Sequence, residues 1–143
     1  MNLNSDSPLI SPIGLDHINL KTRDMGRAIS FYTDVLGLRL VRAERDAEGA
    51  VRFASLRVGD MLIDLQPDEG DWSTQTTGLN HVAILVEPID LEALATTFRD
   101  RGIEITQGPV RRQGAFGFGQ ALYIIDPDGH GIEIKHHDWP VIK

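Results

Sequence analysis

Gly14-Leu15-Asp16-His17-Ile18-Asn19-Leu20 and Gly78-Leu79-Asn80-His81-Val82-Ala83-Ile84 lie 64 residues apart and open in the same way. Each places one histidine early in a strand-like run. Self-similarity at a fixed offset implies two copies of one supersecondary unit, and here the repeated position is a metal-capable side chain. Near the end of each copy, Met61-Leu62-Ile63-Asp64-Leu65 and Gly131-Ile132-Glu133-Ile134 set a carboxylate within an apolar run. Two histidines and two carboxylates, one of each per copy, suit a divalent metal cage.

Working outward, Leu15–Lys21 reads as a strand, and Asp24 then caps a helix whose apolar residues Met25, Ala28, Ile29, Tyr32, Val35 and Leu36 keep helical spacing up to Gly37. Strand-like runs Leu38–Ala43, Val51–Val58 and Met61–Gln66 follow, divided by Asp46-Ala47-Glu48-Gly49 and Gly59-Asp60. The second copy repeats this order: strand Asn80–Glu87, cap Asp90, helix stripe Leu91, Leu94, Ala95 and Phe98, stop Gly102, then strands Ile103–Thr106, Ala121–Ile125 and Gly131–His136. Its extra feature is a Gly-rich stretch, Gly108 to Gly119, carrying Arg111, Arg112, Phe116 and Phe118, which reads as a loop long enough to act as a lid. The fold class is α+β: two βαβββ repeats, 13–66 and 78–137, forming a half-open, mixed-sheet barrel around a concave metal pocket. A flexible segment at 1–12 precedes a single domain over 13–143, and the linker Pro67–Thr77 is polar apart from Trp72.

Strand parity orients the candidates, because successive side chains alternate between faces. Ile63 and Leu65 oppose Asp64, Ile132 and Ile134 oppose Glu133, Ile18 and Leu20 oppose His17 and Asn19, and Val82 and Ile84 oppose His81. All four candidate ligands therefore face away from the helix-packed core, toward what two sheets set side by side would share as a concave surface. Asn19 joins His17 there as a substrate contact. Arg111 and Arg112 are candidates for binding a substrate anion through charge-assisted bonds. Tyr123 is a candidate proton donor whose face parity alone does not fix. His130 reads as a turn residue, and His136 and His137 read as a solvated chain end.

The composition bounds the function. With no cysteine there is neither a disulfide framework nor a thiolate site, so a transition metal is held by nitrogen and oxygen, as suits Ni, Zn, Mn or Fe. A net charge of −7 argues against nucleic acid and anionic membrane as partners and leaves a small molecule as the expected ligand. The first dozen residues lack a signal-peptide pattern and no run is long enough to span a membrane, so a cytoplasmic location is expected.

These residues resemble the vicinal oxygen chelate superfamily, which holds glyoxalase I, methylmalonyl-CoA epimerase, extradiol dioxygenases, and fosfomycin and bleomycin resistance proteins. The resemblance runs over about Ile13 to His137 and is carried by Leu15 to Leu20, Phe31-Tyr32-Thr33-Asp34-Val35-Leu36-Gly37-Leu38, Leu79-Asn80-His81-Val82 and Tyr123 to Glu133. It implies metal ligands at His17, His81 and Glu133, with Asp64 where glyoxalase I has a glutamate. It implies a metal-dependent lyase or isomerase of the lactoylglutathione lyase-like branch, in which Glu133 both contacts the metal and moves a proton alpha to a carbonyl. The extradiol dioxygenases carry an acid-base histidine in the loop where this chain has Arg112 and Gln113, which weighs against an Fe(II) dioxygenase. A thiol transferase or small-ligand-binding resistance protein stays open. Exposed sheet edges and the resemblance together imply a homodimer.

Overall fold

The computed structural model describes residue 15, residues 17–70, 79–114 and 117–137. The N-terminal segment 1–12, Trp72 in the linker, and Phe116 lie outside them. Two four-stranded mixed sheets, one per repeat, carry the chain.

In the first repeat, β1 (His17–Thr22) leads to helix α1 (Met25–Ser30), whose Asp24 side chain accepts from the Arg27 amide at 3.0 Å and so satisfies an otherwise orphaned first-turn donor. The helix continues as a π-helical turn over Phe31–Val35 and ends at Gly37, whose φ of 76° only glycine adopts without strain. Strands β2 (Arg39–Arg45), β3 (Val51–Val58) and β4 (Met61–Pro67) then form an antiparallel meander, and β4 returns to lie parallel to β1. The sheet order is β1-β4-β3-β2.

The second repeat has the same plan: β5 (Val82–Leu85), α2 (Leu91–Asp100) capped by Asp90, then β6 (Ile105–Gly114), β7 (Gly117–Ile125) and β8 (Gly131–His137), in the order β5-β8-β7-β6. The two repeats and the half-open mixed sheets match the sequence expectation. One stretch does not. Residues 108–114 and 117–119 lie in paired strands and not in a loop, since β6 and β7 pair through Arg112↔Gly119, Gln113↔Phe118 and Gly114↔Gly117. Glycine here serves close approach: a Cβ at Gly119 would sit 2.0 Å from the His136 carbonyl oxygen of β8.

The apolar parity of each sheet turns inward on the helices. Leu20, Leu56, Ile63 and Leu65 from the first sheet, Leu122, Ile124, Ile132 and Ile134 from the second, Ala28, Phe31 and Tyr32 from the first helical segment, and Leu91, Ala95 and Phe98 from α2 form one continuous core. Among the described residues no helix is long and apolar enough to cross a membrane.

A buried polar knot joins the two repeats. The turn Asp126–His130 between β7 and β8 presents two carboxylates to the first repeat. Asp126 Oδ2 accepts from the Tyr32 hydroxyl at 2.8 Å and lies 2.7 Å from His130 Nδ1, while Asp126 Oδ1 accepts the Asp128 and His130 amides. Asp128 accepts from the Thr22 hydroxyl, the Arg23 amide and the Arg27 guanidinium. Burial works to lower the His130 imidazole, but its bond to Asp126 and the charges of Asp126 and Asp128 outweigh this and raise it. Burial works to raise Asp126, and His130 and Tyr32 outweigh that and lower it.

The pH dependence of stability follows with a defined sign. A raised His130 contributes fully below its ordinary 6.5 and loses that contribution as pH rises through the folded value; a lowered Asp126 contributes above its ordinary 3.8 and loses it as pH falls. The knot is therefore strongest between those two values. Urea unfolding should show His130→Asn flattening the decline of stability above pH 6.5, and Tyr32→Phe costing about 1–3 kcal/mol by leaving Asp126 short of a donor.

Candidate metal centre

The carboxylates sit where the ladders bring them beside the histidine strands. In the first sheet His17 pairs with Leu62 and Asn19 with Asp64 across β1 and β4, so His17, Asn19 and Asp64 share the face opposite Leu20, Ile63 and Leu65. His17 Nε2 is 3.8 Å from Asp64 Oδ2. The other carboxylate oxygen, Asp64 Oδ1, is buried and has no hydrogen-bond partner. A buried carboxylate oxygen left unsatisfied is costly, and a cation at that point would remove the cost. The Asn19 amide donates to Gln66 Oε1 at 3.3 Å on the same face.

In the second sheet Ala83 pairs with Glu133 across β5 and β8, and Tyr123 of β7 pairs with Glu133 from the other side. His81 precedes β5 and brings Nε2 to 3.1 Å from Glu133 Oε2. Its Nδ1 is 2.8 Å from Asn80 Oδ1. With Asn80 accepting from Nδ1–H, the free lone pair falls on Nε2, the nitrogen directed at the carboxylate; a hydrogen bond of this kind fixes both the tautomer and the ring orientation of a metal-binding histidine. Tyr123 stands edge-on to His81, with ring centroids 5.5 Å apart. Partial burial and the Glu133 carboxylate raise its phenol, and the Arg112 guanidinium, 5.8 Å from the ring centroid, opposes them.

The faces on which the four candidates lie agree with strand parity, but their grouping differs from a cage on one shared concave surface. His17 with Asp64 and His81 with Glu133 form two separate pairs, and among the described residues no three metal-capable side chains meet. The reason is topological: each pair lies on its own sheet, and no strand of one sheet pairs with a strand of the other. Each pair sets one imidazole nitrogen beside one carboxylate.

Arg111 and Arg112 separate because neighbours on a strand face opposite ways. Arg112, opposite Gly119, reaches Tyr123 on the Glu133 face, whereas Arg111 stacks on Phe118 at 4.6 Å on the other face. His136 and His137 form no solvated chain end; both are buried on β8, with His137 Nδ1 3.1 Å from the Phe118 carbonyl oxygen of β7 and His136 Nδ1 3.0 Å from the His137 carbonyl oxygen. Parity arguments aimed at ligands overlooked Asn80, which orients His81. They also overlooked Lys135, although its spacing of two from Glu133 put it on the same face.

Residues 14–134 match the Glyoxalase/Bleomycin resistance protein/Dioxygenase superfamily, and the chain belongs to that family. It is 34% identical over 124 residues to the lactoylglutathione lyase of Haemophilus influenzae, covering 82% of this chain and 87% of that one. It is 29% identical over 122 residues to the metallothiol transferase FosB of Shouchella clausii, covering 85% and 78%. The crystal structure of a glyoxalase/dioxygenase from Nostoc punctiforme superposes with a TM-score of 0.69 at 25% identity, over 94% of this chain and all of that one.

Gly131 supports the second pair sterically. A Cβ there would lie 2.5 Å from the Asn80 carbonyl oxygen and 3.2 Å from His81 Cβ. Gly131→Ala should therefore displace the His81 strand entry and weaken divalent-ion binding by about 10–100-fold, the range seen when support of a ligand is lost; calorimetric titration of the variant against the native chain checks it.

Proposed function

We propose that the protein is a divalent-metal-dependent lyase or isomerase of the glyoxalase I type, working on a small oxygen-chelating substrate as a homodimer. The observation that carries this reading is the pair of equivalent His–carboxylate half-sites, one of which leaves Asp64 Oδ1 buried and unpartnered. A two-fold dimer would join the first-sheet pair of one copy to the second-sheet pair of its partner, giving two complete sites. His17, Asp64, His81 and Glu133 would hold the ion, Ni, Zn, Mn or Fe, through imidazole and carboxylate donors. When bound, such an ion supplies positive charge that stabilises the negative charge developing on a substrate oxygen.

The remaining work falls to this chain's own groups. Glu133, poised against His81 and beneath Tyr123, takes the proton alpha to the substrate carbonyl and returns it at the neighbouring carbon. Tyr123, whose phenol is raised, stays protonated and donates a hydrogen bond beside that carboxylate. Arg112 and Asn19 orient the substrate. Similarity to a lactoylglutathione lyase supports this chemistry over its alternatives. Similarity to a metallothiol transferase supports a thiol transferase as the second reading. A panel of methylglyoxal–thiol adducts, fosfomycin with thiol, and catechols with oxygen uptake discriminates among isomerase, transferase and dioxygenase.

Two outcomes are expected. Glu133→Gln should lower turnover by about 10²–10⁴-fold with a nearly unchanged melting temperature, since the amide keeps the side chain's shape; Asp64→Asn should leave partial activity. If Glu133→Gln turns over normally on a substrate the native chain accepts, the proton-transfer role is wrong. Separately, His17→Ala and Glu133→Gln chains should each be inactive alone. Mixed and allowed to exchange subunits, they should recover up to about a quarter of native activity, because each mixed dimer holds one intact site. No recovery despite demonstrated exchange would count against a site shared between copies.

A further inference from the structure

The second sheet carries a buried charge that the metal pair does not use. Lys135 follows Glu133 by two residues on β8, so both side chains leave the same face. It is one of only three lysines, beside Lys21 and Lys143, in a chain whose other permanently cationic side chains are arginines. Lys135 is 5% exposed, while Lys21 is exposed. Its Nζ donates to the Gly117 carbonyl at 2.9 Å. An ammonium has three donors, and among the described residues Lys135 has no carboxylate partner; the carboxylate of Glu133, its neighbour along the strand, is directed at His81 Nε2. Removing an ammonium from water without a counter-charge is costly, so its retention here calls for an anion.

On this face the β7 residue opposite Lys135 is Ala121, and the buried His137, two residues further along β8, stands opposite Gly119. Arg112, opposite Gly119 on β6, adds a second cation to the same face and reaches over Tyr123. On a chain of net charge −7 this local excess of positive charge runs against the average.

We propose that Lys135, together with Arg112, forms an oxyanion subsite that holds a carboxylate or phosphonate group of the substrate, along the strand from the metal half-site. The subsite rests on the proposal above only in taking this face of the second sheet as the substrate surface. An ammonium supplies charge and the guanidinium a planar fork of donors, a combination that suits either group.

The test labels the full chain with 15N at lysine Nζ and titrates it with sodium acetate and with sodium methylphosphonate, using sodium chloride at matched ionic strength as the control. The chain is used both as purified and as His81→Ala. The Lys135 resonance is expected to shift and saturate with an oxyanion in both forms while Lys21 stays in place, and the stronger of the two anions identifies carboxylate or phosphonate as the source. Calorimetry with that anion should show Lys135→Gln weakening binding by about ten-fold or more, as for a charge-assisted hydrogen bond, with Lys135→Arg recovering most of it. If Lys135→Gln does not fold, the resonance of the native chain decides alone. A Lys135 resonance unmoved by both anions overturns the proposal. So does one moved equally by chloride, or one that follows protein concentration rather than added anion, as pairing with a partner copy's carboxylate would require. The His81→Ala arm separates the outcomes: metal loss with a retained Lys135 shift leaves the subsite standing, and intact metal binding with an unmoved Lys135 removes it alone.

Discussion

Two carboxylates at one turn hold the two halves of this chain together. Asp126 and Asp128 lie in the second repeat, but their partners Tyr32, Thr22, Arg23 and Arg27 lie in the first. Such groups are tolerated in a protein interior only when nearly every lone pair is matched, and here the matching spans some hundred residues of chain. The knot also has a positional consequence. It sits at the start of β8, so the strand that carries Glu133 is anchored at its N-terminal end to the helix of the other repeat.

Each sheet divides its two faces between stability and chemistry. The face with Ile132 and Ile134 closes on the helices, and the face with Glu133 and Lys135 is left for polar side chains. Because the side-chain period of a strand is two, a one-residue slip would exchange these faces. Glycines secure the register where backbones meet closely, at Gly119 against His136 and at Gly131 against Asn80. The same repeat that builds the core thus aims a histidine and a carboxylate at each polar face, and the proposed function joins the two resulting pairs as halves of one site.

Most of this was legible in the sequence, and the exceptions have physical causes. Asp24 and Asp90 as caps, Gly37 and Gly102 as stops, and the parity of Ile63 and Leu65 against Asp64 all rest on local rules that the tertiary structure preserved. The strand pairing of Gly108 and Gly119 is not legible locally, because glycine favours both loops and close strand contacts and only the β8 backbone beside Gly119 distinguishes them. The burial of His136 and His137 is not legible locally, because nearness to the C-terminus says nothing of what packs around a paired strand. The candidate residues were found by type and parity; their division into two pairs depends on the sheets forming no ladder with each other, which no local pattern encodes.

The central claim is that His17 and His81 serve one ion, although they belong to different repeats. X-ray absorption spectroscopy of the protein loaded with a single divalent ion per chain counts the imidazoles around that ion. Two imidazole ligands with oxygen donors completing the shell are what the joined half-sites predict. A spectrum with one imidazole per ion, or none, would contradict it.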